Sequence, residues 1–212
     1  MPAARTTYLP LFFLFVLLQT NYFSFSQNAS YPFNEWVKKL SDKNGQTGSG
    51  LQDVLSLLKE KDTSDALSAL NELEKKGSSS SKYFTARFNL LKAIWLADSK
   101  GIAAKENVSQ LMKRALNAAY KTDNDSLASF ISWNYGTTMY HFNQNEPATM
   151  YCLYSAEFDE KSPQKMNPNR CELMGDLLYR TQDYQKSIYY THQAIVRETD
   201  TSYFAKNRIM SR

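Results

Sequence analysis

Between Pro168 and Thr201 two apolar stripes of helical period flank a short polar break, and that pattern leaves room for little besides a helical hairpin. In the first run Met174, Leu177, Leu178 and Thr181 share one stripe, with Cys171 one turn earlier. Pro168 suits the first turn, where an amide N–H has no helical acceptor to lose. Thr181-Gln182-Asp183 interrupts the pattern, and Tyr184, Ser187, Ile188, Thr191, Ala194 and Ile195 form a second stripe. Gly175 on the first helix and Ser187 and Ala194 on the second are small, so the two backbones can approach closely.

Weaker copies of this pattern precede it. Leu51, Val54, Leu55 and Leu58 predict a helix that ends near Lys61. Asp62-Thr63-Ser64 breaks it, and Ala66, Leu67, Leu70 and Leu73 predict a second helix to about Lys76. Phe84, Phe88, Leu91 and Trp95 lie on one helical face. A turn over Asp98–Lys105 separates them from Val108, Leu111, Met112, Ala115, Leu116 and Ala119. Ser126–Phe142 is the next first helix, with Gly136 as its small residue. Pro147 sits in the first turn of its partner, whose close-packing stripe is Ala148, Cys152, Ser155 and Ala156. Gly136 and Gly175 stand 39 positions apart, and the loop Asp159–Asn167 takes up the excess over a 34-residue unit. Near the end, Arg208-Ile209-Met210-Ser211 echoes Glu172-Leu173-Met174-Gly175 at an offset of 36, as if a further helix begins at 202–212.

The first 26 residues read as a secretory leader. Arg5 gives a short positive start, Tyr8–Leu18 is an apolar run of 11 residues, and Ser24-Phe25-Ser26 is a small-x-small cleavage pattern before Gln27. The run is short for a bilayer span, which needs about 20 apolar residues. The expected product is exported and periplasmic or otherwise extracytoplasmic, with membrane attachment only through an uncleaved leader or a segment beyond Arg212. Residues 27–50 form a flexible segment. Within it Asn34–Leu40 has a short helical pattern with Trp36, Val37 and Leu40 inward, and Asn44–Gly50 has linker composition.

Composition narrows the function classes. The net charge of +4 falls to +3 without the leader, whose one charged residue is Arg5, and that is too mild for a nucleic-acid partner. Fourteen tyrosines and twelve phenylalanines supply core and contact area, and few glycines and prolines fit an all-helical chain. No metal, nucleophile or phosphate-binding motif occurs. The two histidines, His141 and His192, fall in different hairpins, so neither catalysis nor a cofactor is expected. Asn28, Asn107 and Asn124 head N-x-S sequons, which matter only in a eukaryotic secretory route. Cys152 and Cys171 have two readings, a disulfide natural to an exported protein and a pair of buried free thiols.

Gly175, Ser187 and Ala194 at the eighth, twentieth and twenty-seventh places of a 34-residue unit resemble the tetratricopeptide repeat. The resemblance extends over residues 51–212. It is closest at 168–201, weaker at 126–160 and weakest at 51–125, where the pairs are degenerate. Three departures stand out: Cys171 replaces a large apolar residue, Thr199 replaces a proline, and Lys92 falls where a small residue belongs. The resemblance implies an all-α, right-handed superhelical solenoid of antiparallel helix pairs, with a protein or peptide partner in its concave groove. Carried over by position, the groove residues are Phe130, Trp133, Thr137, Tyr140 and His141 in one repeat and Asn169, Glu172, Asp176, Tyr179 and Arg180 in the next. For Phe130 and Trp133, burial against a neighbouring helix is the competing reading. The layout of leader, early Leu57–Thr63 stretch and repeats is similar to the extracytoplasmic sensor part of Bacteroidetes-type regulators and histidine kinases. That implies a non-catalytic sensing role in signal transduction. The alternative is a free-standing exported adaptor that assembles envelope or secreted proteins.

Overall fold

The computed structural model describes residue 40 and residues 49–76, 81–160, 166 and 168–197. The expected leader, most of the segment before Leu51 and the expected further helix at 202–212 lie outside the described residues. Within them the chain is all-α: helices α1 (Ser49–Lys59), α2 (Thr63–Lys76), α3 (Lys82–Lys100), α4 (Lys105–Tyr120), α5 (Asp125–His141), α6 (Asn145–Glu160), α7 (Pro168–Arg180) and α8 (Tyr184–Arg197), with a 3-10 turn at Gly101–Ala104 between α3 and α4. No strand occurs among the described residues.

The helices form four consecutive hairpins. Each packs most extensively on its own partner: α1 on α2, α3 on α4, α5 on α6 and α7 on α8. Successive hairpins join through α3 against α1 and α2, α4 against α5, and α6 against α7. Other helix pairs share no more than marginal contact among the described residues.

Three of the four hairpin turns are the same object. Lys61, Asn143 and Gln182 have φ of 60°, 56° and 65°. In each turn the left-handed residue donates its N–H to the carbonyl three residues back (Leu58, Tyr140, Tyr179). The next residue donates five back: Asp62 to Leu57, Gln144 to Met139 and Asp183 to Leu178, each at 2.9 Å. This paired closure satisfies the last carbonyls of the first helix. The second helix then starts at once. Asp62 Oδ1 accepts from Asp65 N at 3.0 Å and Asp183 Oδ1 from Lys186 N at 3.2 Å, both as N-caps. Loops this short force the paired helices antiparallel. The α3–α4 turn differs, with Gly101 at φ 57° leading into the 3-10 turn. Ser81 and Asn124 cap α3 and α5 through side-chain bonds to Phe84 N and Leu127 N.

Glycine sets the closeness of the last two hairpins. A Cβ at Gly136 would meet Cys152 Sγ and stand 2.9 Å from both Ala148 O and Cys152 N. At Gly175 it would stand 2.5 Å from Thr191 Oγ1, with backbone atoms 3.4 Å and farther. Ser187 uses the same proximity, donating to Gly175 O at 2.8 Å. Between hairpins, Tyr135 is almost fully buried, stacks on Tyr151 with centroids 3.8 Å apart, and shares a 2.6 Å hydrogen bond with Ser109 on α4. At the amino-terminal side Leu40 is fully buried, its carbonyl bonded by the buried Arg87, and Trp95 Nε1 donates to Thr63 O at 2.7 Å.

Three local expectations need correction. Asp98–Lys100 is the last turn of α3 rather than loop, because the helix runs on until Gly101 takes the left-handed conformation. Asp159 and Glu160 likewise end α6 rather than start the following loop. Lys92 does not sit in the tight seam of the second hairpin; its ammonium pairs with Glu74 on α2 at 2.8 Å, and the fully buried neighbour is Ala93.

Candidate functional site

The ten residues assigned to the groove lie on two first helices, α5 and α7, that follow one another in the array. On α5, Phe130, Trp133, Thr137 and Tyr140 are half-buried and His141 is exposed. On α7, Asn169, Tyr179 and Arg180 are exposed, and Glu172 and Asp176 are half-buried. Phe130, Trp133 and Tyr140 rest against the core by part of their surface. They are neither free-standing recognition groups nor fully buried core residues.

Four members of the set form one cluster across the two hairpins. Tyr140 donates its hydroxyl to Asp176 Oδ2 at 2.9 Å. Arg180 Nε donates to the same oxygen at 3.0 Å, and its guanidinium lies 5.3 Å from the centre of the Tyr140 ring. His141 meets that ring edge-on at 5.9 Å. A carboxylate with two donors on one oxygen, flanked by a cation over an aromatic face, is a fixed polar arrangement rather than a mobile fringe. Thr137 turns inward, donating to Trp133 O and Asn134 O on its own helix at 3.1 Å. Among the described residues Tyr179, at the place in its hairpin that Tyr140 has in the one before, makes its ring contact with Tyr184, edge-on at 5.6 Å.

A second cluster holds a residue outside the assigned set. Arg170, near the start of α7, lays its guanidinium 4.2 Å from the centre of the Trp133 ring and donates Nη2 to Ser155 Oγ. Ser155 and Ser129 are buried with hydroxyls 3.0 Å apart, and each donates to the other's backbone carbonyl, at 2.8 and 3.2 Å. Trp133 is thereby held between its own helix and the next hairpin. The sequence held one hint of this: Arg170 is the only cation in the first turns of a helix that otherwise presents an apolar stripe.

Cys152 and Cys171 are both buried free thiols. Cys152 Sγ packs at the Gly136 crossing inside the third hairpin. Cys171 Sγ lies 3.9 Å from Met166 O and 3.7 Å from Arg197 Nη1 in the fourth. Burial pushes the Cys152 thiol up to about 12, against a smaller opposite pull from Arg170. A shallow open depression of about 590 Å³ lies between the last two hairpin turns, lined by Asn143–Pro147 and Arg180–Gln182. Among the described residues no group of three His, Cys, Asp or Glu side chains is placed to hold a metal ion. None of their helices is long and apolar enough to cross a membrane.

No protein-family model matches the chain, and no curated protein or solved structure does. The packed helix pairs and their recurring turn are compatible with a helical repeat of tetratricopeptide type.

Proposed function

We propose that this chain is a non-catalytic repeat scaffold that binds a protein or peptide along α5 and α7. In this reading the hairpins stack as a right-handed solenoid and the first helices line its concave side. The observation that carries the reading is the pair of clusters along α5 and α7, Trp133 with Arg170 and Tyr140 with Asp176 and Arg180, beside the exposed Tyr179 and Asn169. Aromatic rings fixed by neighbouring charges offer contact area at small entropic cost, which is what a recognition surface needs. The polar groups beside them can bond the backbone of an extended or helical peptide.

Export and sensing complete the proposal. The leader pattern at residues 1–26 supports an extracytoplasmic site of action, and the layout supports service as the sensing part of a signal-transduction protein. A fusion of residues 1–40 to a reporter active only outside the cytoplasm tests the first point; an inactive fusion removes the extracytoplasmic assignment. For the surface, a displayed library of random 12-residue peptides is selected on the folded protein. Enriched peptides lose at least tenfold in affinity on Tyr179→Ala and Arg180→Ala, two exposed positions whose replacement leaves the core intact. Peptides that bind both variants as well as the parent place recognition elsewhere.

A further inference from the structure

The second helices α4 and α6 lie side by side, and their outer surfaces differ in charge. Four residues join α4 to α5 and three join α5 to α6, so both run antiparallel to α5 and parallel to each other. Two contacts give their register: the rings of Tyr120 and Phe158 lie 6.1 Å apart, and Lys113 stands beside Tyr151. Both pairs are 38 positions apart in sequence. On α4 and its C-cap Lys113, Arg114, Asn117, Tyr120 and Lys121 are exposed, and the chain carries no acid from Asn107 to Thr122. On α6 the exposed Glu146, Met150, Tyr154 and Glu157 form one helical stripe, and the helix has no lysine or arginine. Among the described residues none of Lys113, Arg114, Lys121, Glu146 and Glu157 forms an ion pair. Tyr154 is braced: it meets Tyr151 edge-on at 6.1 Å, and Tyr151 stacks on the buried Tyr135.

We propose that this face binds a second copy of the chain across a two-fold axis, with α4 of each copy lying antiparallel on α6 of the other. A two-fold interface must be self-complementary, and a surface basic on one helix and acidic on its parallel neighbour meets that condition. A partner of one charge matches one of the two helices, whereas a second copy matches both. With the axis through the middle of the face, the register of 38 sets Lys121 opposite Glu146 and brings Glu157 within a turn of Lys113 and Arg114. Met150 and Tyr154 then fall nearest the axis, inside a charged rim, which is the usual anatomy of an interface. Each helix has 16 residues, so the face measures about 24 Å by 20 Å and two copies bury on the order of 1,000 Å² in total. That area lies at the lower end for a specific interface, and the dimer should dissociate in the micromolar range. The interface uses second helices alone and leaves α5 and α7 to the peptide partner proposed above.

Sedimentation velocity on the purified chain at low salt, up to about 100 μM, should show a concentration-dependent monomer–dimer equilibrium. Lys113→Glu with Arg114→Glu and Lys121→Glu makes both stripes acidic, and Glu146→Lys with Glu157→Lys makes both basic. All five positions are exposed. Either set of changes should weaken the dimer at least tenfold, since like charges then face each other. The two altered proteins mixed in equal amounts should associate again, as should a single chain carrying all five changes, and that recovery shows that the altered chains fold. A chain that stays monomeric throughout overturns the proposal and leaves the face to a different partner. So does a dimer that either reversal leaves intact, or one that neither the mixture nor the fivefold variant restores.

Discussion

The hydroxyl of Tyr140 donates to Asp176 Oδ2 at 2.9 Å and ties the first helix of the third hairpin to the first helix of the fourth. Hairpins in a linear array depend on such junctions, since each touches only its neighbours. Tyr140→Phe removes the bond while keeping the ring beneath Arg180, and should cost about 1 kcal/mol in urea denaturation. A double-mutant cycle with Asp176→Ala, which leaves no acceptor for the hydroxyl, should return a positive coupling of similar size. Arg180→Ala should cost less, about 0.5 kcal/mol or below, because Arg180 is exposed and its ion pair is screened. A coupling indistinguishable from zero would mean that the bond does not hold the hairpins together.

The two helix-crossing glycines should respond differently to alanine. At Gly136 the new Cβ meets backbone, 2.9 Å from Ala148 O and Cys152 N, so α5 and α6 must separate. Overpacking of that kind costs about 1–3 kcal/mol, more than the roughly 1 kcal/mol that alanine gains over glycine in a helix. At Gly175 the close atom is Thr191 Oγ1, which can swing aside by rotation of its side chain, and the backbone stays 3.4 Å or more away. Gly136→Ala should therefore lower the denaturation midpoint clearly, and Gly175→Ala should leave it almost unchanged. Equal losses at both sites would contradict this account of the crossings.

Much of this was legible in the sequence, and the failures share a cause. Apolar period and small residues identified the helices, and Gly136 and Gly175 marked the crossings, because burial and close approach leave a local imprint. The turn conformation was not legible at Lys61 or Gln182. Both adopt positive φ without being glycine, and the strain is offset by carbonyls that the turn satisfies. Asp98-Ser99-Lys100 reads as loop by polarity, yet it is the exposed last turn of a helix. Lys92 misled because one residue of helical phase decides whether a side chain enters the hairpin seam or reaches back to Glu74. The positions along α5 and α7 of the ten residues proposed for a groove could be set by counting. Arg170 over Trp133, and Tyr140 on the carboxylate oxygen that Arg180 shares from four places along its own helix, could not, since these contacts join residues 37 and 36 positions apart.

Ser129 and Ser155 offer a test of the buried polar seam between α5 and α6. Each hydroxyl donates to the other's carbonyl, and Ser155 Oγ also accepts from Arg170. Ser129→Ala leaves Ser155 its carbonyl acceptor and its arginine donor, so the loss should stay near 1 kcal/mol. Ser155→Ala takes the hydroxyl away from Arg170 as well, and a hydrogen bond to a charged group is worth about 1.5–3 kcal/mol. The order to expect in thermal or urea denaturation is Ser155→Ala clearly below Ser129→Ala. The reverse order would show that Arg170 depends on Trp133 rather than on Ser155.

Cys152 ties stability to alkaline pH. Its thiol has no exposed surface, and burial pushes its pKa from the ordinary 9.0 up to about 12 in the folded chain. A pKa raised on folding means that the native state keeps its proton across a window in which the unfolded chain has lost it. The folded state then binds more protons than the unfolded one, so stability must fall as pH rises through that window. Below about pH 8 the thiol contributes almost no slope, because both states are protonated. Between about pH 9.5 and 10.5 it should remove close to 1.4 kcal/mol per pH unit. Other groups titrate in this range too, so the comparison is with Cys152→Ala. That variant is less stable at neutral pH through lost packing at Gly136, but its stability should decline less steeply above pH 9. Parallel profiles for the two proteins would mean that the thiolate is reached by water in the folded state, and that the α5–α6 crossing is looser than the contacts at Gly136 require.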